Sequence, residues 1–175
     1  MEIVTAACRL RPLAPTDAES LARHANDRGI WLNLRDRFPH PYTLEDARSY
    51  IAHVAGQEPA TSLAIEVDGS AVGGISLMPG HDIERVSAEI GYWIGRAYWG
   101  RGIATAAIRG ATGYALTTLG FRRVFAVPFV RNAASVRALE KAGYVREGVM
   151  RRSAVKDGAL LDQYLYAAYD DRWTA

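Results

Sequence analysis

Residues 88–107 read AEIGYWIGRAYWGRGIATAA. Ile90, Tyr92 and Ile94 recur at the period of a β-strand. The run of small residues after Gly102 reads as the first turns of a helix. A strand that passes through a glycine-bearing turn into a helix commits the chain to mixed α/β architecture. It also makes a particular kind of surface. Glycine lets backbone approach a ligand closely, and the first N–H groups of a helix have no acceptor within it, so this turn is suited to an anion.

The remaining elements fall around this stretch. IVTAACRLRPL predicts a first strand ending near Leu13, and Asp17 a helix cap before residues 18–26. GIWLNLRDRFPHPY is irregular, and Thr43 opens a helix with Asp46 in its acidic first turn. Two strands meet at Asp68-Gly69, a hairpin signal, and a third covers VSAEIGYWIG. After the helix come the strand RRVFAVPF, the helix NAASVRALEKAG with Gly143 as its stop, and two strands meeting across Lys156-Asp157-Gly158. Early hairpins and one strand-helix-strand crossover predict a mixed, mostly antiparallel sheet of about six to seven strands with helices on both faces. The 175 residues suit one domain spanning 1–175.

Charge sharpens the reading of the turn. The net charge of +2 is too small to argue for nucleic acid. Between Ile90 and Leu139, however, there is no Asp or Glu, while Arg96, Arg101, Arg109, Arg122, Arg123, Arg131 and Arg137 all occur. A multiply charged small anion fits such a window, although a basic face without a ligand would leave the same pattern. A P-loop needs Lys and Ser/Thr where GRAYWGRG has Arg101-Gly102. A dinucleotide fingerprint needs a third glycine where Thr105 stands and an acid about 20 residues later, which the acid-free window excludes.

The segments FPHPYTLEDARSYI, AEIGYWIGRAYWGRGIATAA, RNAASVRALEKAGYVREG and DQYLYAAYDDRW together resemble the GNAT N-acetyltransferase superfamily, in its RimJ/RimL-like branch. Gly102 and Ala104 match the superfamily's pyrophosphate fingerprint. Trp99 departs from it, standing where Gln or Arg is usual, as in that branch. The resemblance implies a GNAT fold and acetyl-CoA as co-substrate. It implies that amides around Arg101, Gly102, Ile103, Ala104 and Thr105 cradle the pyrophosphate, that the main chain of Trp93 and Ile94 pairs with the pantetheine arm, and that Asn132 contacts coenzyme A.

The resemblance also points to chemistry. Glu89 stands at a point where the family can place a general base, and a carboxylate tied to a neighbouring arginine is the rival reading. Asn132 caps a helix, and Ser135 three residues on is implied as donor to the leaving sulfur. Leu139 occupies the position where many acetyltransferases carry a tyrosine acid, and water is Ser135's rival. Asn33, Arg35, Phe38 and Tyr42 lie where the family builds its acceptor wall, although core aromatics with solvated arginines would read the same.

The favoured acceptor is a protein or peptide N-terminal α-amine. A small amine such as a polyamine, amino acid derivative or aminoglycoside is the alternative, and a non-catalytic acyl-CoA sensor a third. The four histidines show no metal spacing, and one cysteine gives neither an internal disulfide nor a zinc site, so no metal is expected. Cys8 is expected in the core, and no Ser-centred hydrolase elbow is present. No signal peptide or membrane span is read, which makes a cytoplasmic protein the expectation. Neither nucleic acid nor membrane is an expected partner, and a homodimer could use the C-terminal YLYAAYDDRW as an aromatic contact surface.

Overall fold

A computed structural model describes residues 1–171 and 173; Arg172, in the segment expected to form an aromatic contact surface, lies outside them. One sheet of eight strands organises the chain: β1 Ile3–Val4, β2 Arg9–Pro12, β3 Ser62–Val67, β4 Ser70–Pro79, β5 Ser87–Ile94, β6 Arg123–Ala126, β7 Val145–Lys156 and β8 Ala159–Tyr169. Their spatial order is β1-β2-β3-β4-β5-β6-β8-β7. Among the described residues, only β5 and β6 run parallel.

The expected six to seven strands become eight at the N-terminus. The single strand anticipated there is broken by a turn, because the Thr5 hydroxyl accepts from the Cys8 N–H and lies 2.7 Å from the Cys8 carbonyl. A local side-chain bond of this kind competes with the strand ladder. At the other two hairpins the expectation holds. Asp68-Gly69 and Asp157-Gly158 all have positive φ, the conformation that matches the twist of paired strands.

Two helical layers cover the sheet. On one face lie α1 Ala18–Ala25 and α3 Leu44–Val54, which bury Leu21, Ala25, Ala47 and Ile51 over Ala64 and Ala71. A short α2, Arg28–Trp31, leads into the irregular segment between them. Helix α3 begins as its sequence predicts: Thr43 accepts from the Asp46 N–H at 3.1 Å, and Asp46 accepts from the Thr43 N–H at 2.8 Å. Such a box contributes about 1 kcal/mol. On the other face lie α4 Ile103–Thr117 and α5 Ala133–Ala142. Small residues on α4, including Ala107, Ala111 and Ala115, are almost fully buried and let its backbone come close to the sheet.

The sheet opens in the middle. β5 pairs with β6 only from Ser87↔Arg123 to Glu89↔Phe125. β6 ends at Ala126, and Pro128, which has no N–H, disfavours its continuation. The second half of β5 is therefore held by β4 on one side and lacks a strand on the other. The Gly80 N–H donates to Ser87 and the Gly95 N–H to Val72, at either end of an unbroken antiparallel register. Odd positions of β5 thus spend their main-chain groups on β4. Even positions, including Tyr92 and Ile94, turn theirs toward the opening.

Candidate functional site

A cleft of about 1220 Å³ runs from this opening, past the start of α4, to the irregular segment after α2. Its two ends differ in chemistry, and β5 forms the floor between them.

At the α4 end, Gly102 caps the helix at φ 75° and Gly100 also has φ 75°. A Cβ on either would meet no protein atom within 4 Å, so the space above the loop is open. The first intrahelical bond runs from the Ala106 N–H to the Gly102 carbonyl. The N–H groups of Ile103, Ala104 and Thr105 consequently have no acceptor in the helix. Arg101, Arg137 and Lys141 line the same end, and among the described residues the cleft's lining carboxylates are Asp46 and Glu89, neither of them in this loop. An uncrowded row of amides beside three cations fits the phosphates of coenzyme A.

The arginine-rich window contributes less charge than its composition suggests. Arg96, Arg122 and Arg123 bond to Asp27, Asp170 and Glu147, all outside the window. Arg131 donates to the Leu32 carbonyl at 2.8 Å.

The main-chain register separates the two residues expected along the pantetheine. Ile94 faces the opening, with its carbonyl accepting from the Trp99 indole N–H at 2.7 Å. Trp93 spends its main chain on Gly74 of β4, and Tyr92 takes the place expected for it on the open side. The Trp93 ring packs against the opposite helical layer, 5.6 Å from Phe38. Trp99, which departs from the usual fingerprint, ties the glycine loop to the end of β5, with Arg96 stacked 4.8 Å from its ring.

Asn132 caps α5, its side chain accepting from the Ser135 N–H at 3.2 Å. The Ser135 hydroxyl lies 2.7 Å from the Tyr92 hydroxyl, a partner not foreseen from sequence. Burial pushes the Tyr92 phenol up to about 12, so it stays protonated across the ordinary range of pH. Strand alternation places Tyr92 on the α4/α5 face, but nothing local reveals a neighbour 43 residues away.

At the other end, Asn33, Arg35, Phe38 and Tyr42 all line the cleft. Asn33 donates to the Gly29 carbonyl at 3.0 Å. Phe38 and Tyr42 pack at 4.8 Å between ring centres, and burial pushes the Tyr42 phenol up to about 12. Glu89 projects to this side and takes Arg35 Nη2 at 2.6 and 2.8 Å on its two oxygens. Lys156 was also unforeseen. Its side chain is 1% exposed, with Nζ 2.8 Å from Asp36 and 3.7 Å from the Trp31 ring centre, so the end of β7 clasps the irregular segment after α2.

Cys8 lies in the core with its thiol pushed up by burial, and no metal-binding group of His, Cys, Asp or Glu occurs among the described residues. Among them, no helix is long and apolar enough to cross a membrane.

Comparisons with known proteins converge on one family. The acetyltransferase (GNAT) domain family matches residues 8–145. YdaF of Bacillus subtilis (strain 168), provisionally named a ribosomal N-acetyltransferase, is 33% identical over 94% of this chain and 92% of its own. The spermidine N(1)-acetyltransferase of Escherichia coli (strain K12) is 27% identical over 80% of this chain and 74% of its own. The structure of Mycobacterium smegmatis RimJ in complex with CoA-disulfide superposes with a TM-score of 0.83 at 26% identity, covering 99% of this chain and 88% of that one. The chain belongs to the GNAT acetyltransferase family, and is an N-acetyltransferase that uses acetyl-CoA.

Proposed function

We propose that the enzyme acetylates the α-amino group of a peptide or protein N-terminus by direct transfer, without a covalent enzyme intermediate. The observation that carries this reading is the makeup of the acceptor end. Both carboxylates lining the cleft are already bonded, Glu89 to Arg35 and Asp46 to Thr43, beside an aromatic wall of Phe38, Tyr42 and Trp93. A polycation needs unspent negative charge. A single amine at the end of a peptide needs an extended wall and one proton acceptor.

Acetyl-CoA, when bound, supplies an activated acyl group as a thioester. The Ile103, Ala104 and Thr105 amides with Arg101 hold its pyrophosphate, and Tyr92 and Ile94 offer main-chain groups to its pantetheine. Asn132 stands at the α5 start beside Ser135. As the amine's bond to the acyl carbon forms and the carbon–sulfur bond breaks, Glu89 receives the proton that the amine gives up. The departing thiolate takes the hydroxyl hydrogen of Ser135, which is backed by Tyr92 and regains its proton from solvent. Holding both reactants in one cleft supplies much of the acceleration.

The likeness to a spermidine acetyltransferase favours a second reading, a small polyamine as acceptor. A thiol-release assay with acetyl-CoA separates the two. Its panel holds peptides with free Ala, Ser, Thr and Met termini, the same peptides blocked, polyamines and aminoglycosides. Turnover confined to free termini supports the proposal, and turnover with small amines alone overturns it. Acetyl-CoA binding without turnover of any amine would leave a sensor as the reading.

A further inference from the structure

The acceptor segment sorts its charges. In Arg35-Asp36-Arg37, both arginines line the cleft, whereas Asp36 is bonded to the buried Lys156 and does not line it. Arg37 has a thioether as its partner, Met78 Sδ at 2.9 Å from Nη2, which is a weak acceptor. Arg35 is 56% exposed and spends one nitrogen on both oxygens of Glu89, which is 17% exposed. Two cations thus face the acceptor end, where the nearby carboxylates are already engaged.

This arrangement poses a problem for the reaction. A carboxylate whose two oxygens both accept from an arginine is poorly placed to take a proton from an amine. Something must draw Arg35 away. An anion on the acceptor itself would do so, since guanidinium and carboxylate match in planar geometry and a charge-assisted bond would be exchanged for another.

We propose that the preferred acceptor is an N-terminus with a carboxylate side chain close behind its amine, and that Arg35, helped by Arg37, reads this carboxylate and in doing so frees Glu89. This rests on the N-terminal reading above and adds the acceptor's chemical class. Selection and activation are coupled: an acceptor without the anion leaves Arg35 on Glu89, and one with a lysine in its place is repelled by both arginines.

The test uses the full chain and three peptides alike except at the residue after a free N-terminal serine: Glu, Gln or Lys. Wild-type enzyme is expected to favour the Glu peptide over the Gln peptide by about tenfold in kcat/KM, with the Lys peptide poorest, and to lose part of this preference at high salt. Arg35→Gln is expected to bring the Glu-to-Gln ratio near one, with Arg35→Lys retaining part of it. Because the readout is a ratio within one enzyme, a general loss of activity does not imitate the result. Equal turnover of Glu and Gln peptides by the wild type, or a ratio that survives in Arg35→Gln, overturns the proposal and leaves the N-terminal reading standing. Turnover of polyamines with none of the three peptides overturns both.

Discussion

The Tyr92 and Ser135 hydroxyls are hydrogen-bonded at 2.7 Å across the opened sheet, one from the floor of the cleft and one from the first turn of α5. Replacing either tests whether this pair handles the proton of the leaving thiol. Ser135→Ala should lower kcat about a hundredfold or more with little change in acetyl-CoA affinity, since general acid catalysis contributes about a hundredfold to ten-thousandfold. Tyr92→Phe should have a smaller effect, because it removes a partner and not the donor. Stopped-flow turnover beside equilibrium binding checks both, and an unchanged kcat in Ser135→Ala would assign the proton to water.

Gly102→Val should weaken acetyl-CoA binding by tenfold or more while the far-UV circular dichroism stays native. The added side chain would meet no protein atom at Cβ, so crowding falls on the ligand. A φ of 75° adds backbone strain of about 1–3 kcal/mol for a β-branched residue, which should appear as a modest fall in Tm. Retained affinity, by calorimetry, would place the pyrophosphate elsewhere.

Glu89→Gln should reduce turnover most at the pH values where the acceptor amine arrives protonated. The same rate-versus-pH profile in variant and wild type, once scaled, would remove Glu89 as the proton acceptor. Its bond to Arg35 would then be its whole role.

Asp27 gives a stability prediction with a definite sign. Bonds from Arg96 at 2.7 and 2.8 Å hold its carboxyl down at about 2, below the ordinary 3.8. The folded state therefore binds this proton less readily than the unfolded one. The contribution is present above pH 3.8 and fades as pH falls through 2. Asp27→Asn should cost about 1 kcal/mol near neutrality, the exposed Arg96 end being screened, and the gap from wild type should close between pH 4 and 2. Denaturant melts across that range provide the check, and a constant gap would show that the carboxylate's charge does not matter.

The opposite direction holds for the phenols. Burial pushes Tyr42 and Tyr92 up to about 12, so the unfolded chain ionises first and stability should decline as pH rises past 10. Tyr42→Phe should flatten that alkaline decline, and melts between pH 8 and 11 would reveal it.

Most of what is periodic or covalently local could be read from the chain itself. The Asp-Gly turns required positive φ, Thr43 and Asp46 capped α3, and the passage from Ile94 to Ala107 specified a strand, a glycine turn and a helix with open amides. These depend on neighbours a few residues apart, which the sequence lists in order. The Thr5–Cys8 turn is local as well, but a hydroxyl bond leaves no periodic trace, so one strand became two.

Tertiary structure decided the rest. Which main-chain groups of β5 paired with β4 depended on ladder register, and that choice moved the open main chain from Trp93 to Tyr92. Glu89 acquired Arg35 from 54 positions away, Ser135 acquired Tyr92, and Asp36 was drawn out of the cleft by Lys156, 120 positions on. A window free of acids lost part of its charge to Asp27, Glu147 and Asp170, brought back by the fold. Ion pairs and hydroxyl contacts carry no period and need only proximity in space. Sequence could therefore name the groups able to react, and folding alone determined which of them meet.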